Sequence, residues 1–197
     1  MKSNLLNDIK KIDTHSELKR AIGTVVAVNE TNSFATVVLD NSNAHIDLLN
    51  KTGENRVNLL DKVFCFSKML SSDVDAGYDP LYANVSDAKN AGYLGKGISL
   101  NKYTGARGKS GASDANAEYV AWVRNMLEEN WIKFQVAELG KVDIGGGGTI
   151  AYILANKGVD VIDCGVPVLS MHAPYEVTSK YDVFEAYRTY KAFWEKD

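Results

Sequence analysis

The sequence predicts an α/β protein, a sheet with packed helices, preceded by a smaller β-rich segment. Two observations predict it. All ten tyrosines, all three tryptophans and all three prolines lie at or beyond Tyr78, and only two of the sixteen glycines precede residue 77. Beyond that point, apolar strand patterns alternate with helix patterns, which is typical of a sheet with packed helices. We therefore predict two unlike parts, residues 1–66 and 67–197, with a boundary between about residues 62 and 72.

The sequence pattern of the first part predicts a helix followed by a small β-barrel. Apolar residues recur on one side of residues 4–20, which indicates an amphipathic helix. They are Leu5, Ile9, Ile12 and Leu18. Alternating apolar residues between Asn- and Gly-rich turns then predict a β-meander over residues 21–54, and residues 63–66 add a fourth short strand. A segment this small has a marginal core of its own, so we expect it to dock onto the second part or onto a partner.

The sequence pattern of the second part predicts four strands and three helices. The strands are expected within residues 68–79, 97–103, 132–139 and 159–166. The helices are expected over residues 114–129, 149–156 and 182–194. We expect Ser113 or Asp114 to cap the first helix, with Val120, Val123 and Leu127 on its buried side. The last helix is amphipathic, and we expect its aromatic residues to share one face.

The composition indicates a soluble globular protein. The chain is 45% hydrophobic and 24% charged, with a net charge of −3, and so balanced a composition does not indicate wholesale binding to nucleic acid or to an anionic membrane. No apolar run approaches the roughly 20 residues that span a bilayer, and the first 20 residues lack the apolar core of a secretory signal. Cys65 and Cys164 are predicted to be buried free thiols. These features together predict a cytoplasmic protein.

A glycine run and a histidine are the most distinctive candidates for a functional site. Four consecutive glycines precede Thr149 and a predicted helix; they are Gly145, Gly146, Gly147 and Gly148. A tight turn alone needs one or two glycines, whereas a longer run lets backbone N–H groups approach a ligand. His172 follows a predicted strand, and open α/β sheets keep their chemistry at the carboxyl ends of strands.

An aspartate and a basic loop are further candidates, each with an ordinary alternative. Asp73 follows a predicted strand, where an aspartate is commonly a turn or capping residue. Asp75 is its nearest rival, but alternation along a strand directs it to the opposite side. The glycine-rich loop over residues 101–111 carries three cations: Lys102, Arg107 and Lys109. They either face an acidic group of a substrate or form a solvated basic loop.

Residues 67–197 resemble the C-terminal part of the aminopeptidase I (aspartyl aminopeptidase) family of cytosolic zinc exopeptidases. Three motifs carry the resemblance: Ser-x-Asp at Asp73 with the following Pro80 loop, the four-glycine loop, and SMHAPYEVTSK at residues 170–180. The resemblance implies that Asp73 binds one zinc and His172 the other, while Glu176 or a backbone carbonyl holds the second imidazole nitrogen. It also implies that the glycine loop, Thr149 and the three cations line the peptide pocket.

The resemblance further implies a dinuclear zinc enzyme, homo-oligomeric, that removes N-terminal residues, acidic ones among them, from peptides. In the family a His-x-Asp motif, a bridging aspartate and a catalytic Glu-Glu pair all precede the Ser-x-Asp. We expect these ligands and the general base to be absent here, because residues 1–66 are not expected to match the family. The only Glu-Glu pair is Glu128-Glu129, downstream of Asp73.

The expected zinc site is therefore incomplete, with no catalytic residue, and the chain alone is predicted to be inactive. We interpret it as a β-rich segment joined to a fragment of an aminopeptidase catalytic domain. Two alternatives stay open. The protein is a non-catalytic binding protein whose glycine loop cradles a peptide or an anion, or its N-terminal β module is the functional part.

Overall fold

The computed structural model describes residues 64–105, 111–141, 144 and 146–196. The helix predicted at residues 4–20 and the barrel-like strands predicted over residues 21–54 lie outside that part of the chain. The chain divides into two compact units. Leu70–Ala155 and Val161–Asp197 form the larger unit, and Met1–Met69 and Asn156–Asp160 form the other. All the described candidate site residues belong to the larger unit.

Short strands and three α-helices make up the described part. The strands are β1 (Lys68–Ser71), β2 (Asp75–Ala76), β3 (Ile98–Asn101), β4 (Tyr103–Thr104), β5 (Ser113–Asp114), β6 (Phe134–Val136), β7 (Asp160–Gly165), β8 (Pro167–Leu169) and β9 (Val177–Thr178). The helices are α1 (Ala117–Glu129), α2 (Ala151–Ala155) and α3 (Lys180–Glu195), with a 3-10 helix over Pro80–Val85. Among these described residues no helix has the length and apolar content to cross a membrane.

The strands form one mixed sheet and two smaller ones. The main sheet has the order β1-β7-β3-β6, in which β3 runs parallel to β6 and antiparallel to β7. A second sheet has the order β2-β8-β9, and β4 pairs with β5 in an antiparallel ribbon. The mixed α/β class predicted from the sequence is confirmed. The barrel-like strands predicted over residues 21–54 lie outside the described residues, but the fourth strand predicted at residues 63–66 is wrong, because residues 64–65 are helical and residue 66 lies in a turn.

The hydrophobic core joins the main sheet to α1 and α3. Ile98 and Leu100 of β3 and Ile162 and Cys164 of β7 are almost fully buried against these helices. From α1 the core receives four residues, which are Tyr119, Val123, Met126 and Leu127. Their spacing of three and four residues places them on one face of the helix. Burial of this apolar face is what fixes α1 on the sheet.

Several local predictions need correction. Asn116, rather than Ser113 or Asp114, caps α1, because its side chain accepts a hydrogen bond from Tyr119 N. Ser113 and Asp114 instead pair with β4. The aromatic residues of α3 do not share one face: Tyr190 and Phe193 pack against the core, whereas Phe184, Tyr187 and Trp194 are exposed. Cys164 is a buried free thiol as predicted, but Cys65 is exposed.

Two buried acidic side chains fix α3 through backbone hydrogen bonds. Asp182 is fully buried, and its two carboxylate oxygens accept hydrogen bonds from Gly95 N at 2.7 Å and Gly97 N at 2.8 Å. Glu185 is also buried and accepts from Lys133 N at 3.1 Å and from Arg188. The buried face of α3 is thus partly polar, and its position depends on these hydrogen bonds as well as on apolar packing.

We expect Asp182→Ala to lower the free energy of unfolding by about 3 kcal/mol, because it removes two hydrogen bonds to a buried carboxylate and leaves their donors unpaired. Asp87→Ala is the matched control, since Asp87 also accepts two hydrogen bonds, but at an exposed site where water replaces it. Urea unfolding monitored by circular dichroism measures both. Equal losses in the two variants would contradict the role assigned to Asp182.

Candidate metal and peptide cleft

Asp73 lies between β1 and β2 at the edge of an open cavity. Its Oδ1 accepts a hydrogen bond from Val74 N at 3.0 Å. Burial raises the pKa of the Asp73 carboxyl above its usual value, while that hydrogen bond and the nearby His172 oppose the rise. Asp73 and His172 are therefore close enough to interact electrostatically. Partial burial leaves the Asp73 carboxylate poorly solvated, which favours binding of a cation.

Gly165, the last residue of β7, allows the chain to pass Asp73 at close range. A Cβ atom at Gly165 would overlap the carbonyl oxygen of Asp73 and would lie 2.7 Å from its carbonyl carbon. The position of Asp73 thus depends on the absence of a side chain on a neighbouring strand. The requirement for glycine at position 165 is steric rather than conformational, because Gly165 does not have a positive φ angle.

The cavity has a volume of about 490 Å³ and brings Asp73 together with the end of the glycine loop. Its walls combine small residues with apolar ones from the start of α2 and the residue before it. They are Gly111, Gly148, Thr149, Ile150, Tyr152 and Ile153. A carboxylate at one side and a glycine-rich wall at the other form a cleft large enough for a few residues of a peptide.

The structural reason for having glycine differs from one position of the four-glycine loop to the next. Gly146 has a φ of +86°, and a Cβ there would lie 3.0 Å from the Leu139 carbonyl oxygen, so this position requires glycine. A Cβ at Gly147 would lie 3.0 Å from the Leu139 side chain. A Cβ at Gly148 would meet only the Gly111 carbonyl oxygen, at 3.7 Å. Gly148 lines the cavity without a steric or a positive-φ requirement for glycine, and Gly145 lies outside the described residues.

His172 is exposed in the turn that connects β8 to β9. Both Ser170, at φ 58°, and His172, at φ 67°, adopt the left-handed conformation, which is uncommon for residues with a side chain. Glu176 stabilises the turn, because its Oε1 accepts a hydrogen bond from His172 N at 2.6 Å. Glu176 or a backbone carbonyl was expected to hold the imidazole, whereas the hydrogen bond that Glu176 accepts here comes from the backbone N–H of His172. Strained backbone of this kind is common where a side chain must be presented to a ligand.

Of the three cations predicted to line the pocket, the structure describes only Lys102. Lys102 forms an ion pair with Asp114 across the β4–β5 ribbon, at an exposed position. A substrate carboxylate would have to compete with Asp114 for this ammonium group. Arg107 and Lys109 lie outside the described residues. The Glu128-Glu129 pair ends α1 at the surface, where its members pair with Arg124 and Lys196.

Two aspartates beside Asp73 are buried; Asp75 was considered from the sequence as its rival, whereas Asp163 was not singled out. Asp75 is 1% exposed and accepts hydrogen bonds from Ser99 Oγ at 2.6 Å and Asn101 Nδ2 at 3.0 Å. Asp163 is 3% exposed on β7. Burial raises the pKa of both carboxyls above the usual value. The signal that could have found Asp163 is an acidic residue inside an otherwise apolar strand.

The donor atoms at the cleft suit zinc but are few. A carboxylate and an imidazole are ordinary zinc ligands, and a complete site needs three or four protein ligands. Within residues 64–105, 111–141, 144 and 146–196, no group of three His, Cys, Asp or Glu residues lies close enough together to hold a metal ion. The expectation that the chain lacks a His-x-Asp motif is wrong, since His45-Ile46-Asp47 has this pattern. That triplet lies outside the described residues.

Comparison with known proteins agrees with the motifs. The model of the family described as aminopeptidase I zinc metalloprotease (M18) matches residues 19–194. The probable M18 family aminopeptidase 1 of Clostridium acetobutylicum is 49% identical over 175 residues, which cover 89% of this chain and 36% of that protein. The chain thus spans about a third of this relative. The match also corrects the expectation that residues 1–66 are unrelated to the family, since it begins at residue 19.

Solved structures show the same fold. The M18 aminopeptidase of Thermotoga maritima has a TM-score of 0.74 and 39% identity, with 92% of this chain and 44% of that chain covered. The mApe1 protein of Saccharomyces cerevisiae, which forms a dodecamer, has a TM-score of 0.59 and 21% identity, with 77% and 33% covered. The motifs, the family match and the level of identity lead to one conclusion: this chain belongs to the aminopeptidase I zinc metalloprotease (M18) family.

Proposed function

We propose that this chain carries the carboxyl-terminal part of the active site of a dinuclear zinc aminopeptidase, which removes N-terminal residues, acidic ones among them, from peptides. Asp73 would bind one zinc and His172 the other. The observation that carries the proposal is the cleft itself, in which a half-buried carboxylate beside His172 faces a glycine-rich wall. A cleft of this kind places a peptide terminus next to a cation-binding carboxylate.

The described residues supply binding and orientation, and the metals supply the chemistry. Bound zinc would polarise the scissile carbonyl and lower the pKa of a water molecule. Asp73 contributes negative charge from a poorly solvated position, and the left-handed turn at His172 presents an imidazole on a short, hydrogen-bonded loop. Gly148 leaves room for the peptide chain along the cleft wall. The proposed ligand set has one protein ligand for each zinc, with no bridging carboxylate and no general base.

Activity would therefore need a second polypeptide segment that carries the remaining ligands. The chain covers 36% of its Clostridium relative, so most of a family member lies outside the sequence in hand. We propose that the missing ligands and base come from that portion, as the same chain or as a separate partner. Like the yeast relative, the assembled enzyme would be a homo-oligomer.

Zinc titration of the purified chain tests the ligand assignment. We expect weak binding, because Asp73 and His172 do not share one ion and each metal lacks its other ligands. His172→Ala should abolish the measurable heat of binding in isothermal titration calorimetry. His45→Ala is the control, since it removes the histidine of the only His-x-Asp triplet and should leave binding unchanged.

Two outcomes would contradict the assignment. Tight stoichiometric zinc that survives His172→Ala would exclude His172 as a ligand. Loss of binding in His45→Ala alone would place the zinc on the first part of the chain instead of at the cleft.

A further inference from the structure

Thr149 ends the glycine loop at the cleft wall, yet its hydroxyl group does not point to the cleft. The residue is only 6% exposed, and its Oγ1 donates a hydrogen bond to Asp163 Oδ2 at 2.7 Å. The same oxygen accepts a hydrogen bond from Ala151 N at 3.3 Å, at the start of α2. The hydroxyl is thus engaged inside the protein on both its donor and its acceptor sides.

Asp163 joins the loop to two strands. It lies on β7, and its Oδ2 also accepts a hydrogen bond from Thr104 Oγ1 at 2.9 Å. Thr104 belongs to β4 and is 1% exposed, and the two threonine hydroxyls lie 3.2 Å apart. One buried carboxylate oxygen therefore ties the end of the glycine loop to β4 and β7 at the same time.

The Asp163 carboxyl is buried, and its second oxygen, Oδ1, has a different environment from Oδ2. Burial is the main cause that raises the pKa of this carboxyl; the hydroxyls of Ser71, Thr149 and Thr104 lower it, and Asp73 raises it further. Neither Asp163 Oδ1 nor the nearby Ser71 Oγ has a partner with hydrogen-bond geometry among the described residues. Buried polar groups are normally hydrogen-bonded, and the hydroxyls of Thr104 and Thr149 supply these hydrogen bonds to Asp163.

We propose that Asp163 is a positioning residue that holds Thr149, and through it the glycine loop, as the wall of the cleft. Thr149 then acts as an anchor through its hydroxyl and does not donate that hydroxyl to a substrate. The cleft's use by a peptide rests on the proposed function, whereas the anchoring itself rests only on the hydrogen bonds above. The two can therefore fail separately.

Hydrogen–deuterium exchange of the full chain, read by mass spectrometry, tests the anchor. Thr149→Val keeps the shape of the side chain and removes the hydroxyl, while Thr149→Ser keeps the hydroxyl. We expect amide exchange over residues 146–155 to rise about tenfold or more in Thr149→Val, since a hydrogen bond to a buried carboxylate is lost. Thr149→Ser should restore the exchange rate of the unmodified chain, and the main sheet should keep its protection in all variants.

Thr149→Ala removes the same hydroxyl with a smaller side chain, so it replaces Thr149→Val if that variant does not fold. Unchanged exchange over residues 146–155 in the variant without a hydroxyl would overturn the proposal. So would a Thr149→Ser variant that behaves like Thr149→Val, or exchange that rises equally along the whole chain. None of these exchange measurements depends on zinc. A zinc titration that contradicts the proposed ligands would not affect the anchoring role of Thr149, and exchange data that contradict the anchoring role would not affect the proposed metal ligands.

Discussion

The purified chain should release no amino acid from acidic aminoacyl-nitroanilides or peptides above a metal-only blank, with zinc, cobalt or manganese added. A dinuclear peptidase needs metals to polarise the carbonyl and activate water, and a carboxylate to move the proton. Upstream of Asp73 the sequence holds no Glu-Glu pair, and Glu128-Glu129 forms ion pairs at the surface end of α1. The loss of general-base assistance alone costs about 10²- to 10⁴-fold in rate.

A complementation assay distinguishes an incomplete site from a protein that is not an enzyme. A second polypeptide that carries the His-x-Asp motif, the bridging aspartate and the Glu-Glu pair is mixed with this chain, and full-length Clostridium aminopeptidase is the positive control. Turnover that appears only in the mixture, and is lost with Asp73→Ala or His172→Ala, would support the proposed function. Robust turnover by the single chain, lost with Asp73→Ala, would show that other residues complete the site.

A peptide-binding measurement beside the complementation assay addresses the alternative of a binding protein. A cleft that only binds would take up a short peptide in the absence of metal and would give no turnover in the mixture. Binding that depends on Gly148 but not on Asp73 or His172 would favour this alternative. The two functions therefore make different demands on the same residues.

Local sequence patterns predicted the main elements of the larger unit, but not the short ones. The buried positions Val123 and Leu127 repeat with helical spacing, and the apolar run around Ile162 is long enough to indicate a strand. Strands of two or three residues, such as β8 and β9, are too short to show a period. Their existence depends on pairing with distant residues, which a local pattern does not reveal.

The candidate site residues that the sequence predicted all stand in contiguous motifs, whereas the contacts that surround them were not predicted. Asp73, the glycine run and His172 stand in distinctive local contexts, and the structure places Asp73 and Gly148 at one cleft. Asp163 and Thr104 lie 59 positions apart in sequence, and only the fold brings their side chains together. The left-handed turn at His172 was also not predicted, because nothing in Ser-Met-His-Ala-Pro requires a positive φ at a residue with a side chain.

Gly165→Ala should be the most damaging single substitution near the cleft. Its Cβ would overlap the carbonyl oxygen of Asp73 and would lie 3.1 Å from Val74 Cα, so backbone rather than a flexible side chain has to move. Gly165 also pairs with Ser99 of β3 inside the main sheet, which leaves β7 little freedom to retreat. We expect the free energy of unfolding to fall by about 3 kcal/mol, the upper range for overpacking.

The displacement should also act on the site, because Asp73 itself is the group that would be pushed. We expect Gly165→Ala to lose the weak zinc binding of the parent chain under conditions where the variant is still folded. Gly148→Ala is the matched control: the added Cβ would make one ordinary contact at 3.7 Å, so its stability should change by less than about 1 kcal/mol. Urea unfolding and zinc titration of both variants provide the measurement. A Gly165→Ala variant with parental stability and parental zinc binding would show that the close passage of β7 does not determine where Asp73 lies.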